Sequence, residues 1–411
     1  MSTNIDQYLA RYAEPETTDL SGTYHCALVI PACDESPHTL QSALASANTT
    51  PLRVLVIVVL NAGDHHPETV HQANTALAAY LNKLQSRATQ TNTTVHVVDR
   101  YSPGKRIPEK QGVGLARKTG TDLALRLFRQ GQIENPMLLQ TDADAVLPNN
   151  YFTALRTQSG GAQVFRHQHF STDPVTQMAA DLYDLHQRYY EAGLAFAGSR
   201  YAYPSLGSCL AIHAETYAQV RGFPRRSAGE DFYLLNKTVK IAQVQINEEI
   251  ELRLQARLSE RVPFGTGPAL AARVGQLSED PDKSANAIYS YHPEVFDELK
   301  RCLKQLRIYA QDRRPVATVF TATQQAALNA LGFERFAQKL HTRYPQAEQR
   351  VRMTNDWFDG LRTLRFIHLQ EQHWHKQPLL HTVARTLWAQ ALPIRLMQRA
   401  QSGKGSGKNT R

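Results

Sequence analysis

Cysteine is scarce in this chain. Cys26, Cys33, Cys209 and Cys302 are the four in 411 residues, and no two stand in Cys-x-x-Cys spacing. This excludes a disulfide framework and a zinc site of the usual spacing, and it is the cysteine usage of a reduced, cytoplasmic protein. Long apolar runs are missing too. The longest, Val54 to Leu60, is closed off by Arg53 and Asn61, far short of the roughly 18 residues a membrane-spanning helix needs. Met1 to Leu20 carries acidic residues and no apolar core, so no secretory leader is expected there. No fixed-period repeat is present. The Gly-Ser-Gly-Lys-Asn-Thr string at 405–410 lacks the spacing of a phosphate loop, and no strand precedes it.

What is present is a chain long enough for two domains, with 42% hydrophobic and 20% charged residues, as in globular proteins. Its charge is uneven. Residues 285–411 hold 20 Lys+Arg against 9 Asp+Glu, whereas residues 1–284 hold 26 against 28. A basic C-terminal half points either to an anionic partner or to a solvated helical surface.

The first 250 or so residues alternate strand and helix signals, the pattern of an α/β domain with a mainly parallel sheet. Strands are expected at His25–Ile30, Arg53–Leu60, Val95–Val98, Met137–Thr141, Gln163–Arg166 and Cys209–Ile212. Helices are expected at Ser36–Ala47, Pro67–Gln85, Glu109–Arg129, from Asp173-Pro174 onward, and at Tyr233–Val239. Ser36 and Pro37 make a good start for the first of these. Beyond residue 270 the strand signals fade. Glu294–Tyr309, Thr323–Arg343, Ala347–Gln372 and Leu379–Leu392 then read as helices.

Four segments carry chemistry. Val29-Ile30-Pro31-Ala32-Cys33-Asp34-Glu35 is a strand running into an acidic loop. Gly112 to Gly120 opens a helix, with Gly112 and Gly114 able to bring backbone N–H groups near a phosphate and Arg117 or Lys118 able to pair with it. Asp142-Ala143-Asp144 follows the apolar stretch 136–141, and carboxylates at a strand end suit Mg²⁺ or Mn²⁺ holding a diphosphate. Gly229-Glu230-Asp231-Phe232 places an acidic pair at a helix start. Each is weak alone. Together, at strand ends of an open α/β sheet, they mark a ligand site.

In these four segments, over roughly Tyr24 to Phe264, the chain resembles the family 2 glycosyltransferases. The family opens with a Val-Ile-Pro-Ala-Tyr-Asn-Glu-like segment, matched at Val29–Glu35. It has a Gly-rich, Ala-Arg-Asn-x-Gly-like segment, matched at Gly112–Gly120 with Lys118 in place of Asn. Its Asp-x-Asp motif is matched at Asp142–Asp144, and its late Glu-Asp at Glu230-Asp231, after Arg221-Gly222-Phe223-Pro224. The resemblance implies an α/β GT-A fold, a Rossmann-like mixed sheet that binds nucleotide sugars, with a C-terminal helical domain. With the helical half and the tail read from their own residues, the expected organisation is an N-terminal extension (1–23), the GT-A domain (24–270), a basic helical domain (271–400) and a disordered basic tail (401–411).

The resemblance also implies roles. Asp144 would bind Mg²⁺ or Mn²⁺, with Asp142 contacting the ribose and the metal. Pro31, Glu35, Asn61, Gly112, Gly114 and Arg117 would line the donor site. Asp231 would be the base of an inverting transfer to a hydroxyl acceptor, and Glu230 would orient that acceptor. A nucleoside-diphosphate sugar is the implied donor. The acceptor could be anionic or lipid-linked, the basic half could touch a membrane peripherally, and no nucleic acid is expected.

The chain departs from the family in two places. Asn61 stands where an acidic cluster often reads the base, so guanosine diphosphate mannose competes with a uridine diphosphate sugar. No histidine follows Asp231 until His292, and Arg257 and Arg261 occupy that stretch as candidate phosphate clamps. His167 and His169 fall on one strand face, most simply in a structural role. A nucleotidyltransferase and a non-catalytic anion-binding scaffold are the alternative readings.

Overall fold

The structure is a computed structural model, which describes residues 4–85, 92–156, 159–258, 265–279, 288–390 and 392. Its elements run α1 (Asn4–Arg11), β1 (Cys26–Ala32), α2 (Pro37–Thr49), β2 (Val54–Asn61), α3 (Glu68–Gln85), β3 (Thr93–Arg100), α4 (Gly112–Arg129) and β4 (Met137–Gln140). They continue with β5 (Ala145–Val146), β6 (Ala162–Phe170), α5 (Pro174–Ala197), β7 (Leu210–His213), α6 (Ala214–Gln219), α7 (Glu230–Thr238) and β8 (Val244–Gln255). The chain divides into two compact units, one of residues 1–172 with 203–271, the other of 173–202 with 272–411.

The first unit is built on one eight-stranded mixed sheet, ordered β3-β2-β1-β4-β7-β6-β8-β5. Strands β3, β2, β1 and β4 run parallel, β7 is antiparallel to both β4 and β6, and β8 is parallel to β6. The expected mixed α/β architecture is therefore present. β1 and β2 are buried along their whole length because both faces of the sheet are covered, which is why they read as unbroken apolar runs. Their alternate residues go to two separate cores. Val29, Ile57 and Val59 join residues of α1, α4, α6 and α7. Leu28, Ile30, Val56 and Val58 join residues of α2 and α3.

This order puts β1 beside β4, while the next strand after β1 lies on its other side. The crevice beyond the carboxyl ends of β1 and β4 is thus a topological switch point, where open α/β sheets collect ligands. Glu35 follows β1 and Asp142 and Asp144 follow β4, so topology alone brings the first and third sequence segments to one place.

The N-terminal stretch is an integral part of this unit. Ile5 and Tyr8 are core residues. Asp122, buried on α4, accepts hydrogen bonds from Tyr8 Oη (2.6 Å), Tyr217 Oη (2.8 Å), the Glu14 N–H (2.8 Å) and Lys118 Nζ (2.8 Å). Arg100 pairs with Glu16 at 2.7 Å. Lys118, the departure from the family pattern, is therefore the buried counter-ion of Asp122.

The second unit is helical, as expected for the C-terminal half, and it also takes in α5, which lies inside the expected 24–270 domain. Two of the expected long helices are each a pair. Gly332, in the left-handed region at φ 85°, separates Ala322–Ala330 from Phe333–Arg343. Asp359, whose side chain caps the Arg362 N–H, starts Gly360–Gln370 afresh after Ala347–Trp357. Arg350 is buried and donates to the carbonyls of Ala310, Gln311, Tyr344 and Pro345. Part of the basic character of this half is thus internal. The expected tail at 401–411 lies outside the described residues. Among the described residues no helix is long and apolar enough to cross a membrane.

Lys118→Met should lower unfolding stability by about 3–5 kcal/mol, because it leaves the Asp122 carboxylate buried without its cation. Urea denaturation checks this, and an unchanged midpoint would remove Lys118 as the partner that holds Asp122.

Candidate active site

Arg117 is the centre of the site. It lies on the second turn of α4 with only 3% of its side chain exposed. Its Nε donates to Glu230 at 2.9 Å and its Nη2 to Asp142 at 2.5 Å. The planar guanidinium makes both bonds at once, one to a loop after β4 and one to the start of α7. Burial works against its charge, but Asp142 and then Glu230 hold it protonated well beyond its ordinary range. Its Nη1 is buried with no hydrogen-bond partner.

Local packing explains how α7 reaches Arg117. The first turn of α4 docks against the 224–227 loop, and the Gly114 N–H donates to the Arg226 carbonyl at 2.9 Å. A Cβ at Gly114 would lie 2.5 Å from the Pro224 carbonyl oxygen, and one at Gly112 would lie 2.7 Å from the Ser227 Cα. Glu230 comes only a few residues later. The Gly112 N–H goes to the Pro108 carbonyl at 3.3 Å. Gly112 and Gly114 therefore do not offer free N–H groups to a phosphate, which corrects the expectation for this segment. Their small size lets two backbones touch. Gly207 works similarly, since a Cβ there would lie 2.6 Å from Arg117 Nη2.

Asp231 follows Glu230 at the start of α7 and accepts the Phe232 N–H at 2.6 Å. Burial, then the neighbouring Glu230 charge, push its carboxyl up to about 7, against the opposing pull of the Phe232 N–H and Arg117. Such a group is balanced between acid and base near neutral pH.

Across the crevice stands a second arginine. Arg257 donates from Nη1 and Nη2 to both carboxylate oxygens of Glu35 (2.9, 3.0 and 3.0 Å), and its Nε lies 2.9 Å from Asp144 Oδ2. The sheet delivers it there. β5 starts directly after Asp144 and pairs Ala145 with Leu254 and Val146 with Arg253, so the end of β8 runs past Asp144. Burial, then Asp142, raise the Asp144 carboxyl to about 6, with Arg257 pulling it the other way. Arg261 lies outside the described residues.

The other residues of these segments, Asn61 and the two β6 histidines have mixed positions. Asp34 is held in the left-handed region at φ 57°, with its N–H on Asn74 Oδ1 at 3.1 Å, an uncommon conformation of the kind found at functional loops. Asn61 donates its amide to the carbonyls of Ala32 (3.0 Å) and Val59 (3.1 Å). It therefore ties the ends of β1 and β2 together and keeps only its side-chain oxygen for a ligand. Pro31 is a buried β1 residue opposite Val59. His167 and His169 do share the buried face of β6, their rings edge to face at 5.5 Å.

Glu35, Asp142, Asp144, Glu230 and Asp231 thus face Arg117 and Arg257. Among the described residues five carboxyl groups against two guanidiniums leave an excess of negative charge, which adds to burial in raising the Asp144 and Asp231 carboxyls. Hard oxygen donors with uncompensated charge fit a divalent cation such as Mg²⁺ or Mn²⁺. A diphosphate alone would be repelled by the same excess. Sequence reasoning named these charged groups. It missed Gly207 and β8, whose polar alternation near 244–251 gave no strong apolar signal.

No protein-family model matches the sequence, and no curated protein matches it. Solved structures similar over much of the chain include the following two. One is GalNAc-T7 with UDP, GalNAc and Mn²⁺, at a TM-score of 0.37 and 11% identity, covering 84% of this chain and 64% of that one. The other is the mannosyltransferase PcManGT from Pyrobaculum calidifontis in complex with GDP-Man and Mn²⁺, at a TM-score of 0.35 and 13% identity, covering 90% and 92%. The chain therefore spans less than two thirds of the length of the GalNAc-T7 chain.

Arg117→Met should destabilise the fold by about 3 kcal/mol at pH 8, because it strands the buried Glu230 carboxylate. Stranded carboxyls have folded-state pKa values above their unfolded ones, so the penalty should shrink as pH falls towards 5. Denaturation at the two pH values checks this; equal losses would show that Arg117 acts by packing and not by charge.

Proposed function

We propose that this chain is a metal-dependent glycosyltransferase of the GT-A type, moving a sugar from a nucleoside-diphosphate sugar to a hydroxyl acceptor. The observation that carries the reading is Arg117 joining Asp142 to Glu230. It gathers the Gly-Arg, Asp-x-Asp and Glu-Asp segments, separate in sequence, into one cluster beside a carboxyl poised near neutrality.

In this reading Asp142 and Asp144 hold the donor end of the site. A bound Mg²⁺ or Mn²⁺ would be held by Asp144 with Asp142 and would neutralise the diphosphate leaving group. Arg117 orients Asp142 and keeps Nη1 for an anionic oxygen. Asp231, ionised above about pH 7, takes the proton of the acceptor hydroxyl as that oxygen attacks the anomeric carbon, giving inversion. Glu230, held by Arg117, fixes the start of α7 so that Asp231 faces the acceptor. The base must come within about 2.6–3.2 Å of the acceptor oxygen in the productive complex.

A non-catalytic anion-binding scaffold is the second reading. Its lack of catalysis is favoured by the pairing of both Asp142 and Asp144 with arginines.

Turnover of a nucleotide-sugar panel with Mn²⁺ or Mg²⁺ separates the two. Asp231→Asn should lower kcat by about 10²–10⁴-fold with little change in nucleoside-diphosphate affinity, whereas full turnover in Asp231→Asn and Asp144→Ala would end the transferase reading. For the wild type, kcat/KM should rise with pH through an apparent pKa near 7, because the free base must be ionised. A flat profile between pH 5.5 and 8.5 would remove Asp231 from that role.

A further inference from the structure

Resting on the transferase reading, we propose that Arg257 is a built-in stand-in cation. It holds Glu35 and Asp144 together before a divalent metal arrives and yields Asp144 to that metal on binding.

The two arginines of the site differ in whether they can leave. Arg117 is 3% exposed and bonded to carboxylates on two different elements, so its departure would strand the buried Glu230 carboxylate. Arg257 has a quarter of its side chain exposed and sits after the end of β8. Its long stem can carry the guanidinium into water while the aliphatic part stays on the protein. Arg257 is also the group that touches Asp144, the carboxylate suited to a metal.

The charges favour the exchange. Among the described residues, five carboxyls and two guanidiniums leave the site negative. Replacing one unit of positive charge at Asp144 and Glu35 by two brings it closer to neutrality. Binding of the metal must nevertheless break the Nε–Asp144 bond and oppose a like charge at close range, so Arg257 weakens metal uptake by the free protein. Once released, the same guanidinium lies beside the metal-bound diphosphate, where its planar fork suits phosphate oxygens. The arginine thus keeps the acidic crevice intact without metal and makes uptake of metal and of nucleoside diphosphate cooperative.

The test is calorimetric titration with Mn²⁺ alone, and then with Mn²⁺ plus UDP or GDP. Arg257→Gln should bind Mn²⁺ at least about five-fold more tightly than the wild type without nucleotide, within the usual range of coupling between two sites. It should also lose part of the tightening that the nucleotide produces. Adding Asp144→Asn to Arg257→Gln should cancel the gain. Arg257→Lys, which keeps the charge without the fork, should fall between wild type and Gln, and it serves if Arg257→Gln does not fold. Equal or weaker Mn²⁺ binding by the variants, with nucleoside diphosphate still bound in the presence of Mn²⁺, would overturn the exchange and leave the transferase reading standing. If neither the wild type nor the variants bind Mn²⁺ or a nucleoside diphosphate, the reading beneath it fails and takes the exchange with it.

Discussion

The buried guanidinium of Arg117 sets the terms for the first unit. A charge in that position is tolerable only with carboxylates at hydrogen-bond distance, and Asp142 and Glu230 supply them at 2.5 and 2.9 Å. Those bonds fix the loop after β4 relative to the start of α7. They also explain the room left at Gly207 and the close docking of Gly112 and Gly114 on the 224–227 loop. Change the guanidinium, and two carboxylates and a helix start lose their common anchor.

From that anchor follows the division of labour in the crevice. Asp231 is buried near Glu230 with too little positive charge around it, and its carboxyl rises to about 7. Asp144 is in the same position on the other side, rising to about 6 against the pull of Arg257. Burial and one excess of negative charge together therefore raise a carboxyl on each side of the crevice. The two arginines are not equivalent parts of this balance, because one is sealed in the core and the other reaches water.

Much of this was legible in the sequence, for specific reasons. β1 and β2 announced themselves because a strand covered on both faces is apolar throughout. α2 and α5 announced their starts because Ser36 and Asp173 are followed by proline, and both side chains cap as that pattern requires. The acidic segments, each weak alone, stood out because together they fall at the strand ends of one open α/β sheet. Other features were silent. The breaks at Gly332 and Asp359 fall inside patterns that remain helical on either side. α1 lies in what reads as an N-terminal extension, and its anchoring depends on Tyr8 meeting Asp122, 114 residues away along the chain.

The sequence by itself determined the chemistry available: which carboxylates and arginines exist, and that they follow strands or open helices, since local periodicity and capping are short-range properties. Only the tertiary structure decided their partners. The order β2-β1-β4 placed Glu35 opposite Asp142 and Asp144, and the β5–β8 pairing carried Arg257 to Asp144. The Gly114–Arg226 contact brought Glu230 to Arg117. It also decided that the glycines of α4 serve packing and that the Asn61 amide ties two strands. Whether an N–H or a carboxylate remains available to a ligand depends on what the fold has already bonded it to, and those partners lie far away along the chain.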